Sequence, residues 1–342
     1  MAGCARGPHP VLWPAPPVAR FSKGLSVTLE QLRIFVAVAE REHVTNAASD
    51  LHLTQSAVSS AVAALESRYA ARLFDRIGRR IVLTDAGRSF LVEARAVLAR
   101  AAAAEAVLSD LAGLKKGRLA LAASQTVASY WLPAFIHAFQ ERFPGVAVTL
   151  DIANTEAVAA AVVEGEADLG VVEGEVDDPV LEATVVADDE IVVVVGPRHP
   201  WADGRPLRGR DLTETRWIMR EPGSGTRAVL EHAAAEAGLG LDDLDVAIDY
   251  PSNEAVRAAV EADAGAAVMS RLVAAASLAS GKMAEAAFAL PKRRFFALRH
   301  KDRYVTKAVI AFQELMRDGP ADAPEPVQPV AENRPKARAT SA

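Results

Sequence analysis

The feature that most restricts this chain is a change of hydrophobic period at Gly117. From Thr28 onward apolar residues recur every three or four positions, the spacing of one helix face. Beyond Gly117, apolar runs such as RLALAAS, VAVTLDIAN, ADLGVVEG and DDEIVVVVG alternate with helical stretches. A helical period does not lie flat as a strand, so a single layer cannot serve both halves. The chain needs a helical N-terminal part and an α/β C-terminal part, the latter with parallel strands because strand and helix alternate. With 342 residues, 51% of them apolar, it can fill two or three cores.

The helical part opens with TLEQ, in which Thr28 and Gln31 have capping-box spacing; Leu32, Phe35, Val36 and Ala39 then follow a helical period. A second short helix, TNAASDL, runs from Thr45 to Leu51, and Thr54 caps a third, TQSAVSSAVAALESRYA. Val58, Val62, Leu65 and Tyr69 give this third helix one apolar face. Gln55, Ser56, Ser59 and Ser60 crowd its first two turns and point elsewhere. A solvated helix normally carries Glu and Lys on its outer face. Short hydrogen-bonding side chains at a leading helix end suit a DNA major groove, where Gln pairs with adenine and Ser with several bases. The alternative is a small three-helix bundle with a weakly polar surface.

Next comes ARLFDRIGRRIVLTDAG, in which Arg72, Arg76, Arg79 and Arg80 surround a turn at Ile77–Gly78 and Ile81–Leu83 reads as a strand. A basic hairpin after a reading helix has the shape of a wing that grips phosphates; by itself it is a solvated basic turn. The candidate DNA contacts are Thr45, Thr54, Gln55, Ser56, Ser59, Ser60, Arg76, Arg79 and Arg80. Charge favours placing them here. Thr28–Lys116 carries 12 basic and 10 acidic residues, a net of +2, whereas Gly117–Asp318 carries 20 basic and 31 acidic, a net of −11. The formal total of −6 argues against nucleic acid anywhere but in the first third.

Thr84 to Leu114 is one long helical pattern in which Phe90, Val97, Ala104 and Leu111 recur every seven residues, with Ala94, Ala101 and Leu108 between them. The seam resembles a coiled coil of small residues whose simplest partner is a second copy. Burial against its own chain is the alternative. Lys115–Lys116–Gly117 ends the helix.

In the α/β part, four strand ends carry hydroxyl or amide residues that open helices: Ser124–Gln125–Thr126, Asn154–Thr155, Ser224–Gly225–Thr226 and Ser252–Asn253. Open α/β sheets bind ligands at such ends, and helix N-termini favour anions. Each is individually an ordinary N-cap. The segment near Asp188–Glu190 suits a crossing between two lobes. The stretch REPGSGTR lacks the Gly-Lys-Ser/Thr ending of a P-loop and the G-x-G-x-x-G spacing of a dinucleotide turn. The candidate effector contacts are Ser124, Gln125, Thr126, Asn154, Ser224, Gly225, Thr226 and Asn253, with Arg227 as a further charge.

Other classes find little support. One cysteine, Cys4, permits no disulfide within the chain, and the seven histidines show no metal spacing, so no metal or other cofactor is expected. No run reaches the roughly 18 apolar residues of a membrane span. Residues 1–27, whose first 24 contain five prolines, offer no continuous signal-peptide region; they and the tail 319–342 read as disordered. A reducing cytoplasm is the expected location.

The stretch AASDLHLTQSAVSSAVAALESRYAARLFDRIGRRIVLTDAG resembles the winged helix-turn-helix of LysR-type transcriptional regulators almost position by position, including Leu-Phe-x-Arg and the Thr-x-Ala-Gly that opens the linker helix. Ser60 departs, standing where many members carry arginine. The resemblance runs from about Thr28 to Asp318. It implies a winged helix-turn-helix (28–86), a linker and dimerisation helix (87–116) and a two-lobed effector domain of the periplasmic-binding-protein type (117–318). Lobe I would take 117–188 and 292–318, and lobe II 189–291. ASQT, ANTEAV, DLGVVEG and REPGSGTR look most like a branch regulating carbon, sulfur or nitrogen assimilation, whose effectors include small anions and phosphorylated metabolites. Implied partners are double-stranded promoter DNA, a small anionic effector, a second copy of the chain with further assembly to tetramers, and RNA polymerase; a membrane is not among them. The rival classes are an enzyme on the binding-protein fold, for which Glu173 and Arg220 are the nearby candidate groups, and a solute receptor. No nucleophile–base pair accompanies the cleft, so binding without turnover is expected.

Overall fold

The computed structural model describes residues 27–77, 80–111 and 117–319. Both terminal segments read as disordered therefore lie outside the described residues, apart from Val27 and Gly319. Two compact units emerge, divided between Leu98 and Ala99.

In the first unit, α1 (Leu29–Arg41), α2 (Val44–Asp50) and α3 (Gln55–Tyr69) precede a hairpin of β1 (Phe74–Ile77) and β2 (Arg80–Leu83). The capping box at Thr28 and Gln31 is present in full, and Thr54 caps α3 by accepting from the Ala57 N–H at 3.2 Å. The second helix starts one residue before the sequence reading. His43 caps it, its Nδ1 accepting the Asn46 N–H, a role that a histidine next to Glu42 does not advertise. Phe35 is fully buried between Phe74 and Phe90, with ring centroids 5.3 and 4.8 Å away. Val58 and Leu65 of α3 are core, but Tyr69 is 53% exposed. The expected apolar face stops short because α3 ends there and Ala70 turns left-handed.

The long helix α4 spans Asp85–Leu111. Its opening motif has a physical explanation. Thr84 accepts from the Gly87 N–H at 2.9 Å and donates to the Arg72 carbonyl at 2.8 Å, so one hydroxyl caps the helix and pins the wing's base. Gly87 is needed because a Cβ there would lie 2.1 Å from the Leu73 carbonyl oxygen. The expected seven-residue seam is only partly free. Phe90 packs on Phe35 and Ala94 is buried in the same core, so these two face their own chain. Val97, 46% exposed, and Leu108, 68% exposed, remain outside with Ala104 between them.

The second unit has two lobes. Strands β3 (Gly117–Ser124), β4 (Val146–Ala153), β5 (Leu169–Glu173), β6 (Leu181–Asp189) and β12 (Arg293–His300) form one sheet in the order β4-β3-β5-β12-β6. Helices α5 (Leu132–Arg142), α6 (Thr155–Glu164) and α10 (Lys307–Asp318) cover it; Phe135, Phe139, Phe295 and Phe312 fill the core beneath α5 and α10. Full burial of each such side chain stabilises by roughly 1.5–3 kcal/mol. At the far end of α4, Asp110 accepts from Tyr304 Oη at 3.0 Å and from the Lys307 N–H at 2.8 Å.

The other lobe holds β7 (Ile191–Val195) between β10 (Ala267–Ser270) and β11 (Ala284–Ala286), and a parallel pair, β8 (Arg216–Arg220) and β9 (Asp245–Tyr250). Its helices are α7 (Gly225–Glu236), α8 (Asn253–Glu261) and α9 (Arg271–Ala279). The expectation of parallel sheets holds only in part. Strand β3 runs parallel to β4 and β5, but β12 is antiparallel to both β5 and β6, and β7 is antiparallel to both its neighbours. An apolar run does not encode strand direction; β12 is reversed because it enters the first sheet on returning from the other lobe. The run DDEIVVVVG is likewise two strands, broken at Glu190, in different sheets.

Gly87→Ala should lower stability by about 1–3 kcal/mol through overpacking against Leu73. Gly117→Ala, where the nearest atom to an added Cβ is 4.0 Å away, should change it far less. Urea unfolding of the two variants, followed by Trp and Tyr fluorescence and far-UV circular dichroism, checks the contrast.

Candidate functional site

At the leading end of α3, Gln55, Ser56 and Ser60 are exposed and Ser59 is half-buried, while Val58 turns into the core. Thr54 does less than expected of a base contact: its hydroxyl caps the helix and lies 3.1 Å from Ser56 Oγ. Thr45 is exposed on the first turn of α2. In the wing, Arg76 and Arg80 are exposed and neither has an ion-pair partner among the described residues. Arg79 lies outside the described residues. Glu66 was absent from the sequence reading, yet it sets the geometry: its Oε1 accepts the N–H groups of Leu73 at 2.8 Å and Phe74 at 3.1 Å. Helix α3 thereby fixes where the hairpin begins. Exposed Gln and Ser beside exposed arginines can combine base-edge and phosphate contacts.

The eight effector candidates, far apart in sequence, meet between the lobes of the second unit. Ser124, Thr126, Ser224, Gly225, Thr226 and Asn253 are buried; Gln125 and Asn154 are half-buried. Asn154, Ser224 and Ser252 cap α6, α7 and α8, so three helix N-termini end at the cleft. At Ser124–Thr126 the expected cap is missing: the chain enters a π-helical turn, Val127–Trp131, without a side-chain cap. That leaves the Ser124 hydroxyl buried and without a hydrogen-bond partner.

Several of the expected ligand donors are committed to joining the lobes. Gln125 Nε2 donates to the Pro251 carbonyl at 2.7 Å and its Oε1 accepts the Asn253 N–H at 3.0 Å. On the opposite rim, Asn154 Nδ2 donates to the Pro222 carbonyl and the Glu156 N–H to the Gly223 carbonyl, both at 3.2 Å. Between the rims, Asn253 Nδ2 donates to Thr126 Oγ1 at 3.1 Å, and Thr126 donates to Glu173 Oε1 at 3.2 Å. The glycines of the PGSG loop make this approach possible. Gly223 has φ +85°, and a Cβ on Gly225 would lie 2.3 Å from the Glu173 carbonyl oxygen.

Four buried charges accompany these groups. Arg220 forks onto Glu221, at 2.8 and 2.9 Å, and donates to Asn253 Oδ1 at 2.5 Å. Arg293 grips Asp189, with Nε 2.7 Å from Oδ2, and donates to Thr226 Oγ1 at 2.9 Å. Asp189 also accepts from Ser270 Oγ at 2.6 Å. Glu173 is only 2% exposed, and burial pushes its carboxyl above the usual carboxylate range, against the pull of Arg293, Arg220 and the Thr126 hydroxyl. Sequence reasoning named Glu173 and Arg220 as possible reactive groups but missed Asp189 and Arg293, which stand 104 positions apart and meet only through strand pairing. A crevice of about 960 Å³ opens beside the cleft between α6 and α7, reaching Glu173, Gly225 and Arg293 and bordered by Glu156, Arg227 and Lys292. Arg227 is spoken for by Glu231 at 2.7 Å and Asp249 at 2.8 Å. Among the described residues no group of three His, Cys, Asp or Glu is placed to hold a metal ion, and no helix is long and apolar enough to cross a membrane.

Residues 29–88 match the bacterial regulatory helix-turn-helix protein model of the lysR family, and residues 112–321 match the LysR substrate binding domain. The chain belongs to the LysR family. It is a DNA-binding transcriptional regulator with an effector-binding domain. A RuBisCO operon transcriptional regulator of Allochromatium vinosum is 36% identical over 246 residues, which cover 72% of this chain and 80% of that one. Full-length CbnR, solved in complex with its target DNA, shares the fold at a TM-score of 0.61 and 22% identity, over 85% of this chain and 99% of CbnR. The CcmR regulatory domain of Synechocystis PCC6803, solved with 2-PG, aligns at 25% identity and a TM-score of 0.56, over 61% of this LysR chain and 100% of that domain.

Arg293→Ala should destabilise this LysR protein by about 3–5 kcal/mol, because it leaves Asp189 buried and uncompensated. Arg198→Ala removes an exposed partner of Asp263 and should cost far less, because solvent screens the pair. Chemical denaturation of both variants, together with Arg293→Ala/Asp189→Asn to restore part of the loss, checks the assignment.

Proposed function

We propose that this regulator binds promoter DNA through α3 and the wing and holds a small anionic metabolite between its lobes. The observation that carries the effector reading is a buried polar cleft at three helix N-termini, with the unpartnered Ser124 hydroxyl inside it. Helix ends favour negative charge by roughly 0.3–1 kcal/mol each, more when partly buried. In a domain of net charge −11 the attraction for an anion must be local, and neutral donors supply it. The likeness to a RuBisCO operon regulator supports carbon assimilation as the setting of the target genes, and the 2-PG complex of the CcmR domain supports a phosphorylated or carboxylate effector.

The proposed division is a winged helix-turn-helix over 28–86, a linker helix over 87–116 and an effector domain over 117–318. Ser124, Gln125, Thr126, Asn154, Ser224, Gly225, Thr226 and Asn253 line the cleft. Gln55, Ser56, Ser59 and Ser60 read bases, while Thr45, Thr54, Arg76, Arg79 and Arg80 position the backbone. The exposed Val97–Ala104–Leu108 stripe of α4 is the surface for a second copy, matching a two-fold operator. The protein acts in the cytoplasm and binds its effector without turning it over; the hydroxyls that meet carboxylates here, Thr126 on Glu173 and Ser270 on Asp189, are buried structural contacts.

Gln55→Ala should cost about 1–3 kcal/mol on the preferred site and relax the preference at one base position. Arg80→Ala should weaken all sequences alike and flatten the salt dependence by about one unit. Binding-site selection followed by salt titration of both variants separates the roles; equal, sequence-independent losses overturn them.

Thermal-shift measurement against inorganic and phosphorylated anions should show stabilisation of the wild type, and weaker stabilisation of Thr126→Val and Thr226→Val. Absence of any shift, or shifts as large in both variants, overturns the anion reading.

A further inference from the structure

Among the described residues, Glu173 is the one buried charge of the cleft that has no dedicated counter-ion. The groups around it come from every element packed against it. Thr126, at the π-helical turn, donates to its Oε1, and Thr155, at the start of α6, donates to its backbone carbonyl at 3.2 Å. Gly225, the first residue of α7, sits close enough that any side chain there would collide with it. Among the charged groups, Arg293 on β12 is held by Asp189, and Arg220 at the end of β8 is held by Glu221. Arg294 is paired with Glu175 at 3.2 Å, and Glu156 at the start of α6 adds a further negative charge. Each of these arginines is thus already balanced by a carboxylate of its own, and Lys292, beside Arg293 on the crevice border, is exposed to solvent. Glu173 Oε2 is buried and makes no hydrogen bond, and so is Ser124 Oγ at the end of the adjoining strand β3. A native structure rarely leaves such buried atoms unpartnered without a reason.

A carboxylate at this position is itself an anion at the N-terminus of α7, where the helix dipole favours negative charge. An effector anion entering the same space therefore meets a like charge at short range in a medium of low dielectric, which is strongly unfavourable. The conflict disappears when Glu173 carries a proton: Oε2–H becomes a donor, and Ser124 Oγ, buried and unpartnered at the end of the neighbouring strand, is a second hydroxyl free to donate.

We propose that Glu173 selects the effector by proton linkage: a small anion binds between the lobes together with one proton, which Glu173 holds and donates as a hydrogen bond from Oε2. The proposal rests on the cleft reading above and adds its chemical rule. The favoured ligand is a compact anion offering acceptor oxygens to Ser124 and Glu173, and its affinity falls as pH rises. Burial of the carboxyl acts in the same direction, keeping the proton at a pH where a solvated glutamate has lost it.

The sign for the ligand-free protein follows from linkage. A carboxyl that binds its proton more tightly when folded contributes stability that is fully present below its unfolded pKa and is lost as pH rises through the folded one. Glu173→Gln keeps the shape and a donor but cannot ionise. It should melt close to wild type at pH 5 and progressively higher than wild type toward pH 8.5.

The deciding experiment titrates full-length wild type and Glu173→Gln with sulfate, oxalate and shikimate between pH 5.5 and 8.5, a range over which none of the three changes charge. Wild-type affinity should fall by up to about tenfold per pH unit, the slope of one linked proton, while Glu173→Gln should bind with little pH dependence and more tightly than wild type at pH 8.5. A wild-type affinity that is flat with pH, or the same slope in both proteins, overturns the proton linkage and leaves the anion cleft standing. Absence of binding by all three anions in both proteins overturns the cleft reading and the linkage with it.

Discussion

The Asp189–Arg293 pair is the interaction on which the effector domain depends. Asp189 ends β6 and Arg293 begins β12; they are directly paired in the first sheet at the two places where the chain passes between lobes. Each partner also reaches into the second lobe, Asp189 to Ser270 and Arg293 to Thr226. Two charges taken out of water cost several kcal/mol each, and their attraction offsets this only when the remaining donors and acceptors are satisfied. Here they are, by groups from both lobes. The pair therefore fixes a junction more than it adds stability, because it is satisfied only with both lobes in place.

Around that junction the cleft is built from helix starts. Each cap that ends a strand and opens a helix also turns a helix N-terminus toward the cleft, so in the proposed reading local chain geometry and anion attraction come from the same residues. The amide side chains then divide the work. Gln125, Asn154 and Asn253 stitch the rims, while the hydroxyls of Ser124 and Thr126 and the carboxyl of Glu173 occupy the floor. Under the proposed effector reading, a ligand held between these groups would alter hydrogen bonds that already span both lobes and so bias their arrangement.

The DNA-reading unit follows a similar economy. The Thr84 hydroxyl both caps α4 and holds the Arg72 carbonyl, and the Glu66 carboxylate anchors the first residues of the wing to α3. Fixing the hairpin against α3 would put the proposed phosphate and base contacts in one rigid frame, which is what register on a duplex requires.

Much of this was legible in the sequence because it depends on short-range rules. Capping spacing gave Thr28 and Thr54, periodicity gave the helices and most buried faces, and the residues that open helices beyond Gly117 pointed to the cleft. The misses have a common cause. Phe90 and Ala94 continue the heptad of α4 but face Phe35, since a period says which side is apolar and not what covers it. The reversed direction of β12, the break at Glu190, and the meeting of Asp189 with Arg293 depend on the chain returning to its first sheet after building a second lobe. The isolation of Glu173 is of the same kind: its type and its place after a strand were visible, but only packing shows that every neighbouring arginine is already taken. Sequence determined the elements, their caps and the residue types brought to the cleft; tertiary structure decided which charges were neutralised and which were left over, because burial and counter-ion distance are properties of the folded arrangement alone.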